Sequence, residues 1–182
     1  IGADARSTAI DASALGTRSF AFSQDAVALG SDTRATDEGA VAVGANADAD
    51  GRDAIAIGRG SIASANGAVA LGGDGSDTGS LGAEATALGS TAIGSDALAS
   101  GANATALGAG STASGVSALA LGANSFANQL NALSLGTNST ASGAGATAVG
   151  IGAVATAADS TALGLGANAS ATRAVALGER SV

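Results

Sequence analysis

Asp25-Ala26-Val27-Ala28-Leu29-Gly30 carries the clearest pattern in the chain. Small residues at 26 and 28 alternate with aliphatic ones at 27 and 29, and a glycine closes the run. Alternation with period two belongs to a β-strand that shows a different face to each side. The same arrangement returns as Asp53-Ala54-Ile55-Ala56-Ile57-Gly58 and as Asn131-Ala132-Leu133-Ser134-Leu135-Gly136. An aliphatic residue followed by glycine stands at 1, 15, 29, 43, 57 and 71, and again at 93, 107, 121, 135, 149, 163 and 177, a step of 14 on either side of one break. A fixed period of this kind marks a solenoid, in which no unit buries its apolar face alone and stacking on neighbours does so.

With each turn counted from its glycine as position 0, positions 3 and 5 are small, as in Thr33 and Ala35, Ala47 and Ala49, or Ser125 and Ala127. Position 9 is a turn former (Asp11, Asp25, Gly39, Asp53, Asn103, Asn131, Asp159), and a five-residue stretch follows it. Each turn therefore carries two short strands whose small residues face one another across a flat, narrow roll. Its interior is expected to hold Ala28, Ala42, Ala56, Ala70, Ala106, Ala120, Ala148, Ala162 and Ala176 at position 12. Position 13 is then directed outward, with Leu29, Val43, Ile57, Leu71, Leu107, Leu121, Leu135, Val149, Leu163 and Leu177. Position 11 joins it through Val27, Val41, Ile55, Val69, Leu119, Leu133 and Val175. An aliphatic stripe of that length exceeds what a soluble monomer leaves bare, so these residues are expected to form the interface of an oligomer. A coiled coil, for which 14 would be two heptads, is excluded because positions 11 and 13 would lie about 200° apart on a helix.

The ruler fails between Gly72 and Gly94, where 22 residues stand in place of 28. We read this as two shortened turns divided at Gly82, with Leu81 and Ile93 at position 13, Ser80 and Ala92 at position 12, Ala85 and Ala87 at 3 and 5, and Asp77 as an irregularity. The expectation is one domain over residues 1–182, an all-β parallel roll of about 13 turns and roughly 60 Å at ~4.8 Å per strand.

Three Phe and no Trp, Tyr or Met leave little to fill a conventional core. A net charge of −8 argues against a nucleic-acid partner, which calls for a basic stripe. There is no Cys for a disulfide or thiolate metal site, and no apolar run long enough for a transmembrane helix. Any signal or anchor is expected outside this chain.

The quoted segments, each with a small residue three places past the glycine, resemble the NSVAIGxxS repeat of YadA-type heads of trimeric autotransporter adhesins from Gram-negative bacteria. The resemblance implies a left-handed parallel β-roll assembled as a homotrimer. It also implies a place on the bacterial cell surface, outer-membrane anchoring through regions outside this chain, and attachment to host cells or an extracellular matrix protein, with auto-aggregation as a further activity. This chain departs from the motif in preferring Ala at position 10 and Asp at position 9.

No His, Cys, Lys or Tyr is present to serve as base or activated nucleophile, and no catalytic residue is assigned. Asp37-Glu38 and the pair Asp48 and Asp50 read as solvated turn residues. Gly72-Gly73-Asp74-Gly75-Ser76-Asp77 resembles one copy of a calcium-roll motif that needs consecutive copies, so no metal or cofactor is expected. Thr91, Thr105, Thr147 and Thr161 would suit an ice-binding ladder that Leu119 and Leu133 interrupt; an ice-binding or purely structural spacer solenoid is the alternative function. Phe20 and Phe126 at position 4 are either ligand contacts or covers for a gap between subunits, the latter preferred. Thirteen of the fifteen acidic residues and five of the seven Arg precede residue 97, which divides the chain into a charged and a neutral part.

Overall fold

The computed structural model describes residues 2–75 and 81–182. Every regular element among them is a β-strand, and the chain is a parallel β-solenoid of about 12 turns. It falls into two compact units, residues 1–96 and 97–182. Each turn supplies a two-residue strand at positions 4 and 5 and a three-residue strand at positions 11 to 13. In the first unit the short strands run from Arg6–Ser7 to Glu84–Ala85 and the long ones from Ser13–Leu15 to Thr91–Ile93. In the second they run from Leu98–Ala99 to Asn168–Ala169 and from Thr105–Leu107 to Val175–Leu177. Short strands pair only with short and long only with long, always in parallel. Each residue lies beside its equivalent one turn away, as in Arg34↔Asp48 and Val41↔Ile55.

The fourteen-residue turn is two seven-residue halves of nearly the same geometry. The Ala47 N–H donates to the Gly44 carbonyl at 3.2 Å, and seven residues later the Ala54 N–H donates to Gly51 at 3.1 Å. The third residue of each of these turns takes a left-handed backbone, Asn46 at φ 58° and Asp53 at φ 54°, which a type II turn demands. Position 2 is therefore as constrained as position 9, and Asp, Asn or Gly fills both in most turns because these residues tolerate φ above zero. The aliphatic–glycine dipeptide has a different cause. A Cβ placed on Gly44 would lie 2.6 Å from the carbonyl oxygen of Gly58, so the glycine column exists because successive backbones stack too closely for any side chain.

The interior is a ladder of alanines. Ala28, Ala42, Ala56, Ala70, Ala106, Ala120, Ala148, Ala162 and Ala176 are all at most 2% exposed, and their partners at positions 3, 5 and 10 are equally buried except Ala174 in the last turn. Hydroxyls are admitted where a turn carbonyl can accept from them. Ser19, Thr33, Ser61, Ser111 and Ser139 donate to the position-0 carbonyl of their own turn at 2.7 to 3.1 Å. Ser90 and Ser160 at position 10 do the same for position 7, both at 2.7 Å. Ser134, which stands where other turns have Ala, is 2.6 Å from Ser139 across the interior.

The break in the ruler is one long turn. Val69–Leu71 pairs directly with Thr91–Ile93, and Ile62–Ala63 with Glu84–Ala85, so eight extra residues are inserted near position 2 and the count falls from about 13 turns to about 12. Leu81 lies outside any strand and is 45% exposed, Ala85 takes position 5, and Ala87 falls in the following turn. Sequence spacing could not separate two short turns from one long one, because either restores the phase at Gly94; pairing decides it. Asp77 and Ser80 lie outside the described residues.

Two substitutions test this packing. Ala120→Leu overpacks the ladder and lowers stability by about 1 to 3 kcal/mol per chain, read as a fall in melting temperature by circular dichroism. Ser117→Gly, at a position with φ 56°, relieves a left-handed strain of about 1 kcal/mol and raises it.

Candidate functional site

The solenoid presents two outer faces of different chemistry. On the long-strand face, Val27, Val41, Ile55, Val69, Leu119, Leu133 and Val175 open their strands, and Leu29, Val43, Ile57, Leu71, Leu107, Leu121, Leu135, Val149, Leu163 and Leu177 close them. All remain at least partly open to solvent in the single chain. Leu29, Ile57, Leu107 and Leu163 are 38 to 46% exposed, and Val175 and Leu177 more than 60%. The position-13 row is thus aliphatic in each unit, and the position-11 row beside it is aliphatic except at Ser13, Thr91, Thr105, Thr147 and Thr161, with no covering element among the described residues.

The short-strand face is built from positions 4 and 6. In the first unit its position-4 row reads Arg6, Phe20, Arg34, Asp48, Ile62 and Glu84, each in register with the next. In the second the row is Leu98, Thr112, Phe126, Thr140, Val154 and Asn168, with no charge. Phe20 stacks on Phe22 with centroids 5.5 Å apart, and the Arg6 guanidinium sits 6.0 Å from the Phe20 ring. Phe126 is 36% exposed on the same face of the second unit.

Ion pairs between successive turns are concentrated in the first unit. Arg18 meets Asp32 at 2.6 Å, Arg52 meets Glu38 at 2.9 Å, and Arg34 reaches Asp50 at 2.9 Å and Asp48 at 3.7 Å. Arg59 meets Asp74 at 2.9 Å. Such exposed pairs contribute little each, but they set the pattern of charge that a partner meets. The Arg18 guanidinium holds Asp32 below its ordinary range. Asp48 goes the other way. Burial pushes it up to about 6, the Asp50 carboxylate adds repulsion, and Arg34 only partly opposes them. One Asp48 oxygen is buried with no hydrogen-bond partner, while Thr36 donates to Asp50 at 2.7 Å. Asp48 and Asp50 are accordingly not the solvated turn residues that the sequence suggested. Asp48 opens a strand and Asp50 continues its outward face, because the αL residue that ends the turn is Asn46.

Exposed apolar residues also line one edge, where position 8 carries Ile10, Leu88, Val116 and Leu130 at 49 to 72% exposure. Sequence reasoning missed this row, since its residue types change from turn to turn.

Seven segments match the family of the YadA head domain repeat (2 copies), at residues 23–47, 49–74, 85–111, 113–139, 127–153, 141–167 and 155–181. The chain belongs to the YadA head family. No curated protein sequence matches it. The family is one of non-enzymatic, surface-exposed autotransporter adhesins.

Because the folded-state pKa of Asp48 lies above its unfolded value, the folded first unit binds a proton more readily. As regards this group, stability rises as pH falls from about 6 toward about 4 and is lost as pH climbs back through 6. An NMR titration of the Asp48 carboxyl should give a midpoint near 6, and Asp48→Asn should remove this part of the pH dependence of melting.

Proposed function

We propose that this chain is the adhesive head of a homotrimer in which the long-strand faces of three copies turn toward a common axis. The observation that carries the reading is the uncovered aliphatic row at position 13, flanked by the partly aliphatic row at position 11. Burial of a Leu, Val or Ile side chain is worth about 1.5 to 3 kcal/mol, and an interior made of alanine supplies little of that within one chain. Membership of a family whose heads assemble as trimers supports the stoichiometry.

The same arrangement leaves the short-strand face open to solvent on three sides of the particle. We place attachment to a host cell or extracellular matrix ligand there, on a bacterial surface and through an outer-membrane anchor outside this chain. The side chains recur at one-strand intervals on three copies, so contacts that are weak singly add through multivalency without a deep pocket.

Sedimentation should give three chains per particle. Leu121→Asp on the long-strand face should dissociate it, while Thr140→Asp on the short-strand face should leave it whole. A folded monomer at micromolar concentration, or equal tolerance of both substitutions, would remove the basis for this reading. Binding of the intact trimer to matrix proteins and glycans then tests the ligand side, with loss expected from changes on the short-strand face alone.

A further inference from the structure

The second unit carries a single aromatic side chain, set among hydroxyls. Phe126 is the only aromatic residue after Phe22, and it is 36% exposed on the short-strand face. Pairing in register sets Thr112 on one side of it and Thr140 on the other, each about one strand spacing away, ~4.8 Å. Two residues further along these turns, position 6 adds Ser114, Asn128 and Ser142, all at least partly open to solvent. Phe20 of the first unit is stacked on Phe22 and approached by Arg6. Phe126 has no such aromatic or cationic neighbour among the described residues, and the interior beneath it is already filled by Ala113, Ala127 and Ala141.

Polar demand is left open in the same turn. The Asn128 amide oxygen is shielded and has no hydrogen-bond partner. Its backbone N–H reaches the Ala141 carbonyl at 3.3 Å, where the equivalent bonds from Ser114 and Ser142 are 3.0 and 2.9 Å. An acceptor left without a donor is destabilising, and a ligand hydroxyl satisfies it once the amide turns outward. Charge narrows the ligand further. Between residues 97 and 172 the only charged side chain is Asp159, which stands at position 9 and not on these rows. With a net charge of −8 on the chain and no cation on this stretch, an anionic glycan is repelled, and a cationic ligand finds no anion on the face.

We propose that Phe126, with Thr112, Thr140, Ser114, Asn128 and Ser142 around it, is a subsite for an uncharged hexose oligosaccharide. A pyranose has an apolar face of C–H bonds and a rim of hydroxyls. The flat ring takes that face, and the neutral donors and acceptors beside it take the rim. A saccharide chain lying along the solenoid stacks one sugar on Phe126 and passes its neighbours over the hydroxyls of the adjoining turns. One such contact is shallow and weak, and three copies on one particle add through multivalency. The proposal rests on the reading of the short-strand face as the ligand face and names the class of ligand that it takes.

The test uses the 182-residue chain as it assembles, with calorimetry and NMR as readouts. The probes are neutral glucose-, galactose- and mannose-type oligosaccharides, their sulfated or sialylated counterparts, and a proline-rich triple-helical peptide. At least one neutral sugar should bind, with an affinity unchanged at about 0.5 M salt, and its C–H protons should move upfield in the ring current of Phe126. Phe126→Leu keeps the apolar bulk without the ring, and should weaken binding about tenfold or more and abolish the upfield shift. Phe126→Trp should keep both, and Phe20→Leu in the first unit should leave both unchanged. The proposal is overturned if no neutral sugar binds, if the charged sugars or the peptide bind in their place, or if Phe126→Leu binds as wild type does. Binding of a matrix protein that is lost on short-strand substitutions, with no sugar bound, overturns the sugar subsite and leaves the ligand-face reading standing. Binding that no short-strand substitution alters overturns both.

Discussion

Everything in this head follows from stacking whole turns at the spacing of a single β-ladder. At that spacing the backbone of one turn stands directly over the next, and the glycine at position 0 has another glycine's carbonyl where its side chain would be, as Gly44 has that of Gly58. The two strands of a turn face each other across an interior that admits alanine, and serine or threonine, whose hydroxyls mostly donate to a turn carbonyl. Tight stacking satisfies the backbone and simultaneously denies the chain a conventional core.

That denial decides where the larger side chains go. Leucine, valine and isoleucine line the outside in rows, because the inside is already filled with alanine. A solenoid with a thin interior and an aliphatic face is stable to the extent that the face is covered, which ties folding to assembly. The second unit, with no charge on its position-4 row, and the first, with inter-turn ion pairs and an elevated Asp48, are the same scaffold carrying different surface chemistry. Substitution at positions 4, 6 and 8 changes the surface chemistry without touching the fold.

The seven-residue half-turn explains why the repeat tolerates variation at some positions and none at others. Positions 2 and 9 share one backbone geometry, so each accepts Asp, Asn or Gly, and the arginines at 18, 173 and 180 and Ser117 hold it with strain. An insertion is accommodated at the 72–94 turn because pairing resumes in register at Glu84 and Thr91.

The sequence by itself determined the period, the alternation that put Ala28 and Ala120 inside and Leu29 and Leu121 outside, and the family. These are local statements, since a strand's two faces are written in successive residues. What it left undecided were matters of partnership. Whether 22 residues made one turn or two depended on which strand Thr91–Ile93 joined, and neighbours in sequence do not report neighbours in a ladder. Asp48 read as a turn acid until its register beside Arg34 and Ile62 placed it in a strand, half shielded from water. Residues 14 or 22 apart in the chain stand about one strand spacing apart in space, at the range where charges and side chains act on one another.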